Sequence, residues 1–131
     1  MMSDMEQKLL TAKGDELSRL LGRVFEINNA CMCHTNYGLT YNASRDMRSI
    51  FCTGCGGEAV IITDWNVAMK WRDWAVAEYG RGVFMAQLRF LWMTCDGFAY
   101  SFETWLGCEI QPEHYLIAAA LCKLKGNEDA N

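Results

Sequence analysis

The sequence predicts an α+β fold in which helices pack on a small antiparallel sheet, a β-hairpin, with an inserted zinc-bound loop module. Three observations support this prediction. Apolar residues recur at helical spacing in three segments, two runs of aromatic and branched residues meet at Asp96-Gly97, and four cysteines lie in two short clusters. With 131 residues, the chain is expected to form a single domain, 1–131, with the module at 26–60.

The first segment predicts a helix that begins at about Ser3 or Asp15 and ends at Leu21. Ser3 and Glu6 have the spacing of a capping box, in which each side chain bonds a free backbone amide of the first turn. Gly14 is a potential interruption, because glycine is a poor helix former. Apolar residues recur at helical intervals through this segment: Leu9, Leu10, Leu17, Leu20, Leu21 and Val24.

Residues 26–60 show no periodicity and contain several turn-forming asparagines and glycines. A loop of this length is unusual in a compact domain unless something else holds it together. Two cysteine pairs in this stretch, Cys31 with Cys33 and Cys52 with Cys55, offer four thiolates. Because closed, sulfur-rich sites with four ligands are structural zinc sites, the predicted cofactor is one structural zinc ion.

The predicted zinc ligands are Cys31, Cys33, Cys52 and Cys55, with His34 as a variant ligand that replaces one of the first pair. Glycines after Cys52 are expected to let the chain turn tightly, so that backbone amides point at the sulfurs. Three other interpretations stay open. Cys52 and Cys55 could form a redox pair, the cysteines could hold an iron–sulfur cluster, or they could be buried thiols without a metal.

Helical order returns after Thr63 or Asp64, either of which can cap a helix, and continues to Gly80, a natural stop. Residues 83–95 and 98–105 then have the alternation of two strands joined at Asp96-Gly97, which is typical of a hairpin. Since a sheet of two strands is marginally stable, short strands near residues 37–41 or 50–51 are expected to extend it.

A last helix is predicted from Pro112, which suits the first helical position, to Gly126. Its interior is apolar nearly all round, and this pattern is typical of a buried helix. The three cysteines outside the clusters, Cys95, Cys108 and Cys122, are expected to pack in the core.

The net charge and the absence of known motifs make several classes of function unexpected for this chain. Sixteen acidic and twelve basic residues give a net charge of −4, so the basic surface of a nucleic-acid-binding protein is not expected. The acidic start and the lack of an apolar run near ~18 residues predict a protein of the cytoplasm with no membrane partner. Motifs of metal hydrolases, phosphate loops and serine nucleophiles do not occur, so the chain is predicted not to be an enzyme. His114 is expected to be a surface or helix-capping residue.

The helix predicted after Asp64 carries two apolar stripes. Val67, Trp71 and Trp74 lie on one side, roughly opposite a second stripe that starts at Trp65. One stripe must face the rest of the fold. The other is either covered by the zinc segment or exposed as a binding patch for another protein, because tryptophan is a favoured interface anchor. Trp71 and Trp74 are therefore the predicted partner-binding residues.

Residues 16–22, 63–69 and 112–121 resemble the corresponding pieces of the phage ABA sandwich family of small phage-encoded proteins. The resemblance covers about two thirds of the chain, and the cysteine clusters would be an insertion that the family pattern does not supply. It implies a bacteriophage or prophage origin and an α/β sandwich, and it transfers no catalytic residue.

These observations lead to a functional hypothesis. The chain is expected to be a non-enzymatic phage accessory protein that binds a bacterial host or phage protein, with inhibition of a host-defence complex such as a CRISPR effector as its role. Two alternatives come from other classes. One is a nucleic-acid-binding protein that uses the zinc module with Arg45 and Arg48, and the other is a small redox or hydrolytic enzyme.

Overall fold

The computed structural model describes residues 3–26, 39–41, 49–95 and 101–129. Over these residues the chain is mostly helical with one small antiparallel sheet, which confirms the α+β class. Backbone contacts divide the chain into two compact units, Met1–Val67 and Ala68–Asn131. The prediction of a single domain stays a prediction. Several residues with predicted roles lie outside the described residues: Cys31, Cys33, His34, Arg45, Arg48, and Asp96 and Gly97 of the predicted turn.

The first unit opens with two helices, α1 (Asp4–Thr11) and α2 (Gly14–Val24). The predicted cap at Ser3 is confirmed, since the amide of Glu6 donates a hydrogen bond of 3.2 Å to the Ser3 hydroxyl. The predicted interruption is also confirmed. The chain is extended at Ala12 and Lys13, and Gly14, with a φ of +58° that favours glycine, is the first residue of α2.

The first unit also contains a sheet of three short antiparallel strands. Strands β1 (Leu39–Tyr41), β2 (Ser49–Cys52) and β3 (Glu58–Val60) lie in that order, with Leu39 opposite Cys52 and Phe51 opposite Glu58. Strands β1 and β2 lie where short strands were predicted, near 37–41 and 50–51, but they pair with each other and with β3 instead of extending a hairpin at residues 83–105. Helix α2 packs against β3, so the sheet is covered by the apolar side of that helix.

Helix α3 (Trp65–Tyr79) begins and ends as predicted. The amide of Asn66 donates to the Asp64 carboxylate at 2.8 Å, and Gly80 adopts a φ of +95° directly after the last helical residue. A second helix, α4 (Arg81–Cys95), starts immediately after this single glycine. The described residues after α4 form α5 (Phe102–Thr104), a π-helical turn (Trp105–Glu109) and α6 (Pro112–Asp129).

The predicted β-hairpin is wrong where the structure describes it, because residues 83–95 and 102–109 are helical. The alternating apolar residues fit a strand, but Phe84, Leu88 and Leu91 also lie at helical spacing and are the large side chains that α4 buries. The 15 residues of α4 are more than most strands contain. Helical spacing therefore describes the buried face better than alternation does.

The aromatic side chains that suggested a sheet face instead form a cluster among the helices. The ring of Phe102 lies 5.7 Å from that of Trp92 and 6.2 Å from that of Trp105, which is fully buried. The guanidinium of Arg89 covers the same phenylalanine at 4.6 Å from the ring centre. The hydrophobic surface is thus covered by helix packing rather than by a second layer on a sheet.

The prediction of a buried last helix is confirmed, since residues 116–122 of α6 are all buried. The helix starts at Pro112 as expected, but it passes Gly126 and ends at Asp129. A Cβ at position 126 would collide with the ring of Tyr79. This glycine therefore leaves room for the Tyr79 ring and does not end the helix. Among the described residues, no helix combines the length and apolarity needed to cross a membrane.

Candidate metal centre and aromatic surface

Cys52 and Cys55 lie in a tight turn between β2 and β3. The amide of Cys52 donates to the carbonyl of Gly57 at 2.9 Å, and the amide of Gly56 donates back to the carbonyl of Cys52 at 2.8 Å. Gly56 has a φ of +72°, which a residue with a Cβ rarely adopts. The turn is thus closed by two backbone hydrogen bonds, and it holds Cys52 buried and Cys55 exposed.

The backbone amides of this turn point at the cysteine sulfurs, as the sequence predicted. The amide of Gly54 donates to Cys52 Sγ and the amide of Gly57 donates to Cys55 Sγ, both at 3.4 Å. Hydrogen bonds of this kind favour a negatively charged sulfur, because they stabilise the thiolate more than the neutral thiol. The turn therefore has the donor arrangement that a thiolate ligand of a metal needs around it.

Arg19 of α2 supplies a positive charge to the same cysteine. Its Nη2 lies 3.9 Å from Cys52 Sγ, and the arginine is only 7% exposed. A guanidinium is always protonated, and at this distance it further favours the thiolate form of Cys52. No motif in the sequence indicates this residue. The two residues are 33 positions apart, and no local pattern connects an arginine on α2 with a cysteine in the sheet.

The described residues contain half of the predicted zinc site. Cys31, Cys33 and the variant ligand His34 are outside the described ranges, so their distances to Cys52 and Cys55 are not part of the structure. Within the described ranges no three histidine, cysteine, aspartate or glutamate residues form a group that could hold a metal. The four-ligand zinc site stays a prediction. Cys55 is followed by a turn and β3 rather than by a helix, unlike the helix that normally follows a redox Cys-x-x-Cys.

Trp71 and Trp74 form an aromatic pair on α3. Their ring centres are 5.3 Å apart with the planes at 82°, an edge-to-face contact, and Trp74 makes a similar contact of 5.8 Å with Tyr79. Both tryptophans are half-buried, whereas Ala68 and Ala75 of the same helix are fully buried. The pair is thus fixed by ring contacts within α3 and keeps part of its surface accessible.

The second histidine and the cysteines outside the two clusters were predicted to have structural roles. His114 Nδ1 accepts a hydrogen bond of 2.9 Å from the amide of Gln111, so the predicted capping role is confirmed. Cys122 is buried in α6, and burial raises the pKa of its thiol to about 11. Cys108 was expected in the core, but this expectation is wrong because the π-helical turn leaves it exposed. The side chain of Cys95 is outside the described part.

Comparison of the chain with known protein families, with curated proteins and with solved structures finds no match.

Proposed function

We propose that this chain is a non-enzymatic phage or prophage accessory protein that binds a protein of the bacterial host in the cytoplasm. The proposed partner class is a host-defence complex, such as a CRISPR effector. The observation that carries the proposal is the half-buried pair Trp71 and Trp74. A rigid aromatic pair contributes a large contact area at low entropic cost, and such residues dominate binding energy at protein interfaces. The phage origin is supported by the sequence resemblance.

The proposal includes a structural zinc ion bound by Cys31, Cys33, Cys52 and Cys55, with His34 as the variant ligand. Its support is the donor chemistry around the second pair. Two backbone amides and one guanidinium surround these sulfurs, and a zinc ion held by four thiolates has a net charge of −2 that such donors stabilise. In this role zinc supplies folding free energy to residues 26–60 and takes no part in a reaction.

The partner-binding surface is tested with single alanine variants of the aromatic pair. Trp71→Ala or Trp74→Ala is expected to weaken capture of a host protein by at least about 30-fold, the effect of losing an interface anchor worth ~2 kcal/mol. Trp65→Ala is the matched control, because Trp65 is on the same helix and is 46% exposed. Capture from a bacterial lysate, followed by affinity measurement with the purified partner, gives the readout. Circular dichroism checks that each variant is folded. Equal affinity of all three variants would contradict the proposal.

A further inference from the structure

The second unit contains a cavity of about 640 Å³ between the end of α3 and the start of α4. Its volume is within the range of sites that bind small molecules. Its apolar floor is formed by half-buried side chains, Val76, Met85, Leu106 and Tyr115, while Phe84 and Leu88 also line it but are almost completely buried. Phe84 stacks on Tyr115 of α6 at 6.2 Å with the planes 13° apart, so the floor is fixed by helix packing. The cavity is therefore preformed and suited to an apolar group.

The charged side chains at the edge of this cavity have a net charge of +1, because two arginines and one aspartate line it. Arg72 and Asp73 both line it, and their side chains form an ion pair with an Nη2 to Oδ1 distance of 2.8 Å. Arg81, at the start of α4, is exposed and forms no ion pair with any residue in the described ranges. The first arginine is thus neutralised, and Arg81 provides the net charge. An apolar floor below a single cation is complementary to an amphiphile with one anionic head group.

We infer that this cavity binds a small amphiphile with an apolar body and a single anionic head group, of the alkyl or aryl carboxylate class. The apolar body lies on Val76, Met85 and Tyr115, and the head group pairs with Arg81. This site is separate from the proposed partner surface. At 100° per residue, the cavity-lining positions of α3 are on the side of the helix opposite Trp71 and Trp74. The inference therefore goes beyond the proposed function and can fail independently of it.

Octanoate and 1-octanol are the probes that test the inference, with isothermal titration calorimetry of the full chain. Octanoate is expected to bind with a stoichiometry of one and more tightly than the neutral alcohol. Arg81→Gln should weaken octanoate binding about five- to tenfold and leave octanol binding unchanged, because only the charged contact is lost. Arg89→Gln is the matched control on the same helix, since Arg89 covers Phe102 outside the cavity.

A second pair of variants tests the location of the site. Ala77→Phe places a ring in the cavity from an exposed position of α3, and should abolish binding of both probes. Ala86→Phe adds the same ring at an exposed position of α4 that does not line the cavity, and should bind both as the natural chain does. Circular dichroism verifies that the helices are kept. Absence of octanoate binding at millimolar concentration, unchanged affinity in Arg81→Gln, or unchanged binding in Ala77→Phe would each overturn the inference.

Discussion

Gly22 of α2 lies directly against the backbone of Glu58 in β3. A Cβ at position 22 would be 3.0 Å from the Glu58 carbonyl oxygen and 3.5 Å from the Cα of Ala59. The helix therefore rests on the strand through its backbone at this point. This close approach brings the apolar side of α2, with Leu17 and Leu21 fully buried, onto the small sheet. The Cys52–Cys55 turn connects strands β2 and β3 of that sheet.

Gly22→Ala is expected to lower the free energy of unfolding by about 1 kcal/mol. Alanine gains up to ~1 kcal/mol in helix propensity, but relief of an overpacked contact costs typically ~1–3 kcal/mol. The cost of the contact should exceed the gain in helix propensity, because the Glu58 carbonyl belongs to the backbone of a paired strand and cannot rotate away. Urea unfolding monitored by circular dichroism measures the change.

Gly82→Ala is the matched control for this substitution. Gly82 lies in the first turn of α4, and a Cβ there would meet nothing within 4 Å. The same change should therefore stabilise the protein by roughly 0.5–1 kcal/mol, the propensity difference alone. If both variants shift stability in the same direction, backbone contact at Gly22 does not limit the packing of α2 on β3.

Local signals account for the parts of the fold that sequence analysis predicted. Ser3, Asp64 and Pro112 each mark a helix start. The first backbone N–H groups of a helix have no partner within it, so Ser3 and Asp64 accept a hydrogen bond from one of them, and Pro112 has no N–H that needs a partner. Gly14 and Gly80 mark breaks because both have positive φ. Signals of this kind depend on a few neighbouring residues and are readable without knowledge of the tertiary structure.

The hairpin prediction is wrong because the apolar pattern of its first strand is ambiguous. Residues 83–95 satisfy both alternation and helical spacing, and only packing of α4 on α6 selects the helix. The error also concealed the cavity, because Arg81, Phe84 and Leu88 share one face only when the segment is a helix. Arg19 was missed for a different reason. Its contact with Cys52 is tertiary, and no local pattern encodes it.

Cys55→Ser should abolish zinc binding and lower the free energy of unfolding by several kcal/mol, because a lost ligand forfeits metal-coupled folding energy. Cys108→Ser provides a matched control, since both cysteines are exposed, and should change stability by no more than ~0.5 kcal/mol. Elemental analysis of the purified protein gives the zinc content, and urea unfolding gives the stability. A natural chain without zinc, or equal behaviour of the two variants, would reject the proposed metal site.

Arg19→Met is expected to weaken zinc binding about tenfold or more, the usual effect of removing a residue that supports a metal ligand. The guanidinium 3.9 Å from Cys52 Sγ stabilises the thiolate that the metal requires, and methionine fills similar space without charge. Arg19→Lys keeps a cation and should retain part of the affinity. Competition with a chromogenic chelator measures the affinities. Indistinguishable affinities of the methionine variant and the natural chain would show that Arg19 has a packing role only.

Cys122 should make the protein less stable as the pH rises above 9. Burial raises the pKa of its thiol from 9.0 to about 11 in the folded chain, so between these values the unfolded chain releases this proton and the folded chain keeps it. Because the unfolded state then binds fewer protons, the free energy of unfolding falls with pH, by up to ~1 kcal/mol for this one group between pH 9 and pH 10. The contribution is fully present below pH 9 and is lost as the pH rises through the folded pKa.

Cys122→Ala isolates this effect from the other groups that titrate in the same range. The alanine variant should be less stable at pH 8 by ~1–2 kcal/mol, because a small cavity replaces the thiol, but its stability should fall less steeply from pH 8 to pH 10. Urea unfolding at pH 8, 9 and 10 gives both slopes. Labelling with a thiol reagent at pH 8 provides a second readout, in which exposed Cys108 reacts readily and Cys122 reacts only after unfolding. Parallel pH profiles of the two chains, or rapid labelling of Cys122 in the folded state, would show that its thiol is not held neutral by burial.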